Sequence, residues 1–370
     1  MEKMTFEEFM DYVQKAIKDY LPEKYSDSKV NVSEVVKNND TKLHALTVTS
    51  PEGNVAPTIY LEQFYGDYTD GHDMSDVLEE IARVRIDHEV GQDMDVSRIT
   101  DYSQVESRIT ARLINAEKNA EYLADKPHKQ MGDLAIVYSI SLGEHEGGNM
   151  SVAITDNLIQ NYGVTVDDIH EAAIRNMEEI SPSSFKSMGQ VMVEMMGDDF
   201  PAELMPPDDG AMYVLSNSSK LFGASALLDE KVMGDISEKL GEFYILPSSV
   251  HETIIVPKRE GMELSELENM VKDVNSTQVS EQEQLSDHVY AYDSETHEIY
   301  RADKEAERKA IKEAAHVKTN VKVQDEKTAR PQKKPSVLEK LAESKAKAAE
   351  MAKNVPAKDM SMKRDAASLA

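Results

Sequence analysis

Apolar residues at Phe6, Phe9, Met10, Val13 and Ile17 share one helical stripe, and Thr5-Phe-Glu-Glu8 ahead of them has the form of a capping box. Pro22 closes that helix. Val30–Val36 and Leu43–Thr49 read as strands joined by the turn "KNND", with a third strand over Pro57–Leu61. Asp73 is expected to cap a helix reaching about His88. Another helix is predicted from Ser103-Gln-Val-Glu106, because Val105, Ile109, Leu113, Ala116, Ala120 and Leu123 recur at three- and four-residue intervals.

From Asp133 the period becomes two. Leu134, Ile136, Tyr138, Ile140 and Leu142 share one strand face, "GEHEGGN" is the turn, and "MSVAIT" returns. Two helices should follow, the second opening at Thr165-Val-Asp-Asp168 and running to about Glu179. Residues 181–211 hold one expected helix and a loop rich in Pro and Asp. Beyond them come a strand pair, "AMYVLSN" and "GASALL", a helix over Asp229–Leu240, and "YILPSSVHETIIVP" as strand, Pro-Ser-Ser turn and strand. A helix near Glu263–Val274 and the hairpin "HVYAYDSETHEIYRA" complete the pattern. The fold class predicted is α+β, with mixed or antiparallel sheets built from hairpins and helices packed on them. Three parts are expected: an N-terminal subdomain over 1–130, a second over 131–300, and a flexible mixed-charge tail over 301–370.

Composition refines this picture. Residues 301–370 carry 18 Lys/Arg against 11 Asp/Glu and no aromatic residue, whereas residues 1–300 hold 23 basic and 58 acidic residues, a net of −35. Such a body repels a phosphate backbone, so direct nucleic-acid binding by it is not expected. Cysteine is absent, which removes disulfides, thiol nucleophiles and thiolate metal sites. The N-terminal segment is acidic and its apolar residues are spaced, unlike a signal peptide. No apolar run approaches the roughly 18–20 residues that span a bilayer. A cytoplasmic location and no membrane association are therefore expected.

Candidate chemistry is sparse. Ser248, Ser249, His251 and Glu252 are residue types of a hydrolase. In a regular strand Ser249 and His251 would share a face and Glu252 would point away, so an orienting carboxylate would have to come from elsewhere. In "FGASALL", Gly223 and Ser225 match half of a nucleophile elbow, but Leu227 stands where the second glycine belongs. His88, His145, His170, His251 and His297 each precede glutamate, yet none has a second histidine four residues on, as a zinc helix requires. Around Gly71 an EF-hand alignment puts Gly66 and Tyr68 at ligand positions, which excludes it. Asp198, Asp199, Asp208 and Asp209 are read as solvated acids of a loop. Met188, Met192, Met195 and Met196 are read as a core-facing stripe. Phosphate-binding glycine loops are missing, which disfavours P-loop and dinucleotide-binding folds. No cofactor-binding residue, metal ligand or cofactor is assigned.

The blocks "MYVLSNSSKLFGASALL", "FYILPSSVHETIIVP" and "VNSTQVSEQEQLSDHVYAYD" resemble the clostridial uncharacterised family known as domain of unknown function five-six-eight-eight. "PTIYLEQFY", "RLINAEKNAEYLADKPHKQMGDLAIVY" and "VTVDDIHEAAIRN" extend the likeness over about residues 1–300. The resemblance implies an intracellular bacterial protein of a kind met near mobile or conjugative elements, and brings no catalytic residue with it. The functional expectation is a non-enzymatic accessory protein that acts by binding an unidentified protein partner. Two alternatives stand beside it: a serine-dependent hydrolase using Ser249 and His251, and an acidic nucleic-acid mimic.

Overall fold

The structure is a computed structural model that describes residues 3–49, 56–88, 97–145, 148–196 and 211–312. Helix α1 (Phe6–Ala16) opens on the expected capping box, in which Thr5 and Glu8 bond each other's backbone N–H groups. Strands β1 (Lys29–Val36), β2 (Lys42–Thr49) and β3 (Thr58–Tyr60) form an antiparallel sheet in that order. An unexpected helix follows at once, α2 (Leu61–Asp70), stopped by Gly71 at φ +111°. Asp73 sits at the N-cap of α3 (Met74–Asp87), but its side chain makes no capping bond. Phe9, Val13, Leu46, Val48, Phe64, Leu78 and Ile81 are buried together between these helices and the sheet.

The helix expected from Ser103 is a correction. After the short helices α4 (Ser97–Thr100) and α5 (Tyr102–Val105), the chain enters strand β4 (Ile109–Asn115). Ile109, Ala111 and Leu113 satisfy a period of two as well as Ile109 and Leu113 satisfy four. The β-branched Ile109, Thr110 and Ile114 favour the pleated form. Strand β6 (Leu134–His145) pairs antiparallel with β4, with β5 (His128–Met131) and with β7 (Gly148–Ala153). The division expected at 130–131 therefore falls inside a strand.

Helices α6 (Asp156–Tyr162) and α7 (Val166–Ile180) come next, α7 with its Thr165–Asp168 capping box. The remaining elements are β8 (Ser183–Ser187), α8 (Met188–Met196), β9 (Tyr213–Asn217), α9 (Glu230–Leu240), β10 (Phe243–Leu246), β11 (Thr253–Pro257), α10 (Leu264–Thr277), β12 (Tyr290–Asp293) and β13 (Glu298–Arg301). Six of these strands form an antiparallel sheet in the order β13-β12-β10-β11-β9-β8. "GASALL" is not a strand: Gly223–Leu228 is a 3-10 helix, its small residues buried against the end of β9. Met195 is 77 % exposed, so the methionine stripe of α8 does not face the core throughout. The aspartates expected in the 198–209 loop lie outside the described residues.

Ile109, Leu113, Ile136, Tyr138 and Ile140 share one core with Ile169 and Ala173 of α7, Met233 and Ile236 of α9, and Leu215, Phe243, Ile245, Ile255 and Tyr292 of the six-stranded sheet. α10 lays Leu267 and Val271 against Leu246, Val256 and Ala291. Asp133, 5 % exposed, accepts hydrogen bonds from Ser286 Oγ (2.7 Å) and Tyr290 Oη (2.5 Å). These partners satisfy a carboxylate that would otherwise be costly to bury.

The "KNND" turn does more than reverse the chain. Asn39 and Asp40 hold positive φ, and their side chains reach outward. Asn39 Nδ2 donates to the carbonyls of Glu281 and Gln284, Asn39 Oδ1 accepts from Asn119 Nδ2, and Asp40 accepts from the N–H groups of Glu121 and Tyr122. The N-terminal sheet is thereby fastened to residues 119–122 and 281–284.

The fold is thus α+β, with three antiparallel sheets among the described residues. The described residues through Ala306 belong to one compact unit, so the first residues of the expected tail, with Ala302 buried, are part of it. The backbone of 307–312 is helical, and the rest of that tail lies outside the described residues. Among the described residues no helix is long and apolar enough to cross a membrane.

Candidate functional site

The hydrolase candidates sit in the connection between β10 and β11, not in a strand. Ser249 makes an isolated bridge to Gln284, and its Oγ accepts the N–H of His251 at 3.0 Å. Glu252 is exposed. The imidazole looks elsewhere: His251 Nδ1 accepts the backbone N–H of Phe222 at 3.2 Å, and Nε2 lies 3.4 Å from Glu283 Oε1. An Nδ1 that accepts an N–H leaves the ring proton on Nε2, facing that carboxylate. An orienting acid is therefore present, but among the described residues no hydrogen bond links the hydroxyl of Ser248 or Ser249 to the imidazole. Ser225 Oγ donates to the carbonyl of Phe222 at 2.9 Å, a local turn bond that ties up the half-elbow serine.

What His251 serves is the segment 216–225. Ser216 Oγ donates to the His251 carbonyl (2.8 Å), and Ala224 N–H donates to the Val250 carbonyl (3.2 Å). Val250 N–H in turn donates to the carbonyl of Glu283, and Leu285 N–H to that of Ser248. The segments carrying "SNSSKLFGAS", "PSSVHE" and "SEQEQLSD" thus converge. Between Ser218 and Gly223 the backbone is unusual, since Lys220 (φ +55°) and Phe222 (φ +53°) both adopt the left-handed region without being glycine.

This segment forms one wall of a cleft of about 340 Å³. Thr110 and Arg112 from β4, Ser141 and Gly143 from β6, Ser151 from β7, Ser181 after α7, and Asn217 to Ser219 at the end of β9 line it. Arg112 is the charged member. Its guanidinium stacks over the Phe222 ring, 4.0 Å from the centroid, and Nη2 donates to Ser151 Oγ at 2.8 Å. Burial pushes the Arg112 pKa below the ordinary arginine value. The chain contains 69 acidic residues, yet among the described residues none lines this cleft and no carboxylate pairs with Arg112. Arg175, Arg83 and Arg301 all have one.

A model of the family of unknown function DUF5688 matches residues 6–294. The chain belongs to this family. Every residue of the cleft, together with His251 and Glu283, lies inside the DUF5688 span; β13 lies beyond it. No curated protein and no solved structure matches the chain.

The other histidines followed by glutamate are dispersed. His170 Nδ1 meets the buried Tyr138 hydroxyl at 3.0 Å, His297 Nδ1 that of Tyr292 at 2.8 Å, and His88 Nδ1 the Val84 carbonyl at 3.0 Å. Among the described residues no three His, Asp or Glu side chains gather as a metal site. Arg112 was hidden from sequence reasoning because it fell on the outer face of a helix that does not exist. The run Ser216-Asn-Ser-Ser219, four polar residues between apolar segments, was the available signal.

Proposed function

We propose that this protein binds a small ligand carrying a phosphate or carboxylate group, which Arg112 and the surrounding hydroxyls recognise, and performs no chemistry on it. The observation that carries the reading is Arg112: a part-buried guanidinium that no carboxylate pairs with among the described residues, in a chain with an excess of acids. Desolvating a charge is unfavourable unless a partner of opposite sign offsets it, and an incoming anion is that partner. Ser141, Ser151, Ser181 and Ser218 supply further donors around it. The polar part of the lining is hydroxyls, an amide and one guanidinium, groups that hold an anion but take up no proton near neutral pH. A volume of about 340 Å³ suits a small molecule. The accessory role in a bacterial cytoplasm, near mobile elements, is part of the same proposal, with the ligand or its carrier as the partner.

Isothermal titration with inorganic phosphate, O-phosphoserine and succinate tests it. One-to-one binding of at least one probe is expected, weakened tenfold or more in Arg112→Gln. Absence of binding by all three, or equal binding by Arg112→Gln, would overturn the proposal, and probe turnover would replace it with an enzyme.

A further inference from the structure

We propose that His251 is the positioning residue of this cleft, and that its neutral imidazole keeps the anion site assembled. The inference rests on the reading of the cleft as an anion site, but its geometry stands apart from any ligand. Arg112 is held from below by the Phe222 ring. Phe222 is held in a left-handed conformation that a non-glycine residue adopts only under external restraint. His251 supplies that restraint twice: Nδ1 accepts the Phe222 N–H, and the ring packs against the Phe222 ring with centroids 5.5 Å apart. The chain is Arg112 on Phe222 on His251.

An imidazole can accept at Nδ1 only while that nitrogen carries no proton. A second proton turns Nδ1 into a donor aimed at the donor N–H of Phe222, and the bond is lost. Histidine is the side chain that gains a proton between pH 8 and pH 5. Glu283 Oε1 faces Nε2 at 3.4 Å, and the Arg112 guanidinium stacks on the Phe222 ring, 4.0 Å from its centroid. Glu252 and Lys220, nearby in the chain, are exposed. Protonation therefore exchanges the Phe222 anchor for a stronger pair with Glu283. The loop from Ser218 to Phe222 is released, and Arg112 loses the surface that orients it. Binding should weaken on acidification even though the site's own cation is unchanged.

Two measurements separate this from the parent reading. The first needs no ligand: in protein labelled with ¹⁵N-phenylalanine, which gives seven amide signals, the Phe222 resonance is identified by its loss in Phe222→Leu. It should move or broaden between pH 8 and pH 5.5, and should hold still in His251→Asn, whose Oδ1 can accept the same N–H without titrating. The second is titration with inorganic phosphate at both pH values. Wild type should lose at least fivefold more affinity than His251→Asn, and because both proteins meet the same probe its own ionisation cancels. His251→Ala should bind at least fivefold more weakly than His251→Asn at pH 8. A Phe222 amide indifferent to pH, or wild type and His251→Asn weakening in parallel, would overturn the role of His251. If phosphate does not bind but the Phe222 amide still titrates as described, the parent reading fails while the His251 anchor stands.

Discussion

A β-carbon on Gly223 would collide with Ser216 Oγ and the His251 carbonyl oxygen and lie 2.7 Å from the Asn217 nitrogen. The wall of the cleft therefore exists because one residue has no side chain. Gly223→Ala should cost about 2–4 kcal/mol of stability, since neither β9 nor the His251 loop can yield without breaking backbone contacts. Urea unfolding monitored by circular dichroism checks this, and a loss below 1 kcal/mol would show that the contact relaxes. At this scale the sequence was partly legible. "YILPSSVHE" was marked by its residue types, and His251 does lie beside the cleft, but as a support. Spacing along one strand could not show that its Nδ1 is occupied by a backbone N–H 29 residues earlier in the chain.

Asn39 carries the element-scale argument. Its left-handed backbone is suited to glycine, so Asn39→Gly keeps the turn of the β1–β2 hairpin while deleting three side-chain hydrogen bonds to Asn119, Glu281 and Gln284. The fully buried Asn119 would be left with an unmet donor. The expected loss is about 1–3 kcal/mol, with faster proteolytic cleavage around Asn119. Unchanged stability would mean the fastening is incidental. Elements with one unambiguous period were readable from sequence: α1, α7, α9, β6 and the β1–β2 hairpin. Those that failed were short or doubly periodic. β4 satisfied both templates over Ile109–Leu113, and GASALL was apolar enough for a strand, yet its small residues suit the tight 3-10 turn that Gly223 begins. β8, "SSFKS", offered too little hydrophobicity to announce itself, because it sits at a sheet edge.

The charge excess is a property of the whole molecule. With −35 on the first 300 residues, folding concentrates like charges, and salt that screens them should stabilise the native state. Raising sodium chloride from 10 to 150 mM should lift the melting temperature by roughly 2 °C or more. A fall would mean that the surface ion pairs, such as Arg175–Glu106, outweigh the repulsion.

The shared core of the two larger sheets also sets an order of events during synthesis. The N-terminal core is complete once residue 84 has left the ribosome, so that part can pack early. The larger core cannot: Ile109, Ile136 and Ile140 wait for Phe243, Ile255 and Tyr292, and Asp133 waits for Ser286 and Tyr290. At about 5–20 residues per second, the apolar face of β4 and β6 stands uncovered for on the order of ten seconds or more. A nascent chain in that interval presents strand edges and an unpaired acid together. The acidity of the chain then has a use before folding as well as after, keeping half-made molecules apart until the last strands arrive.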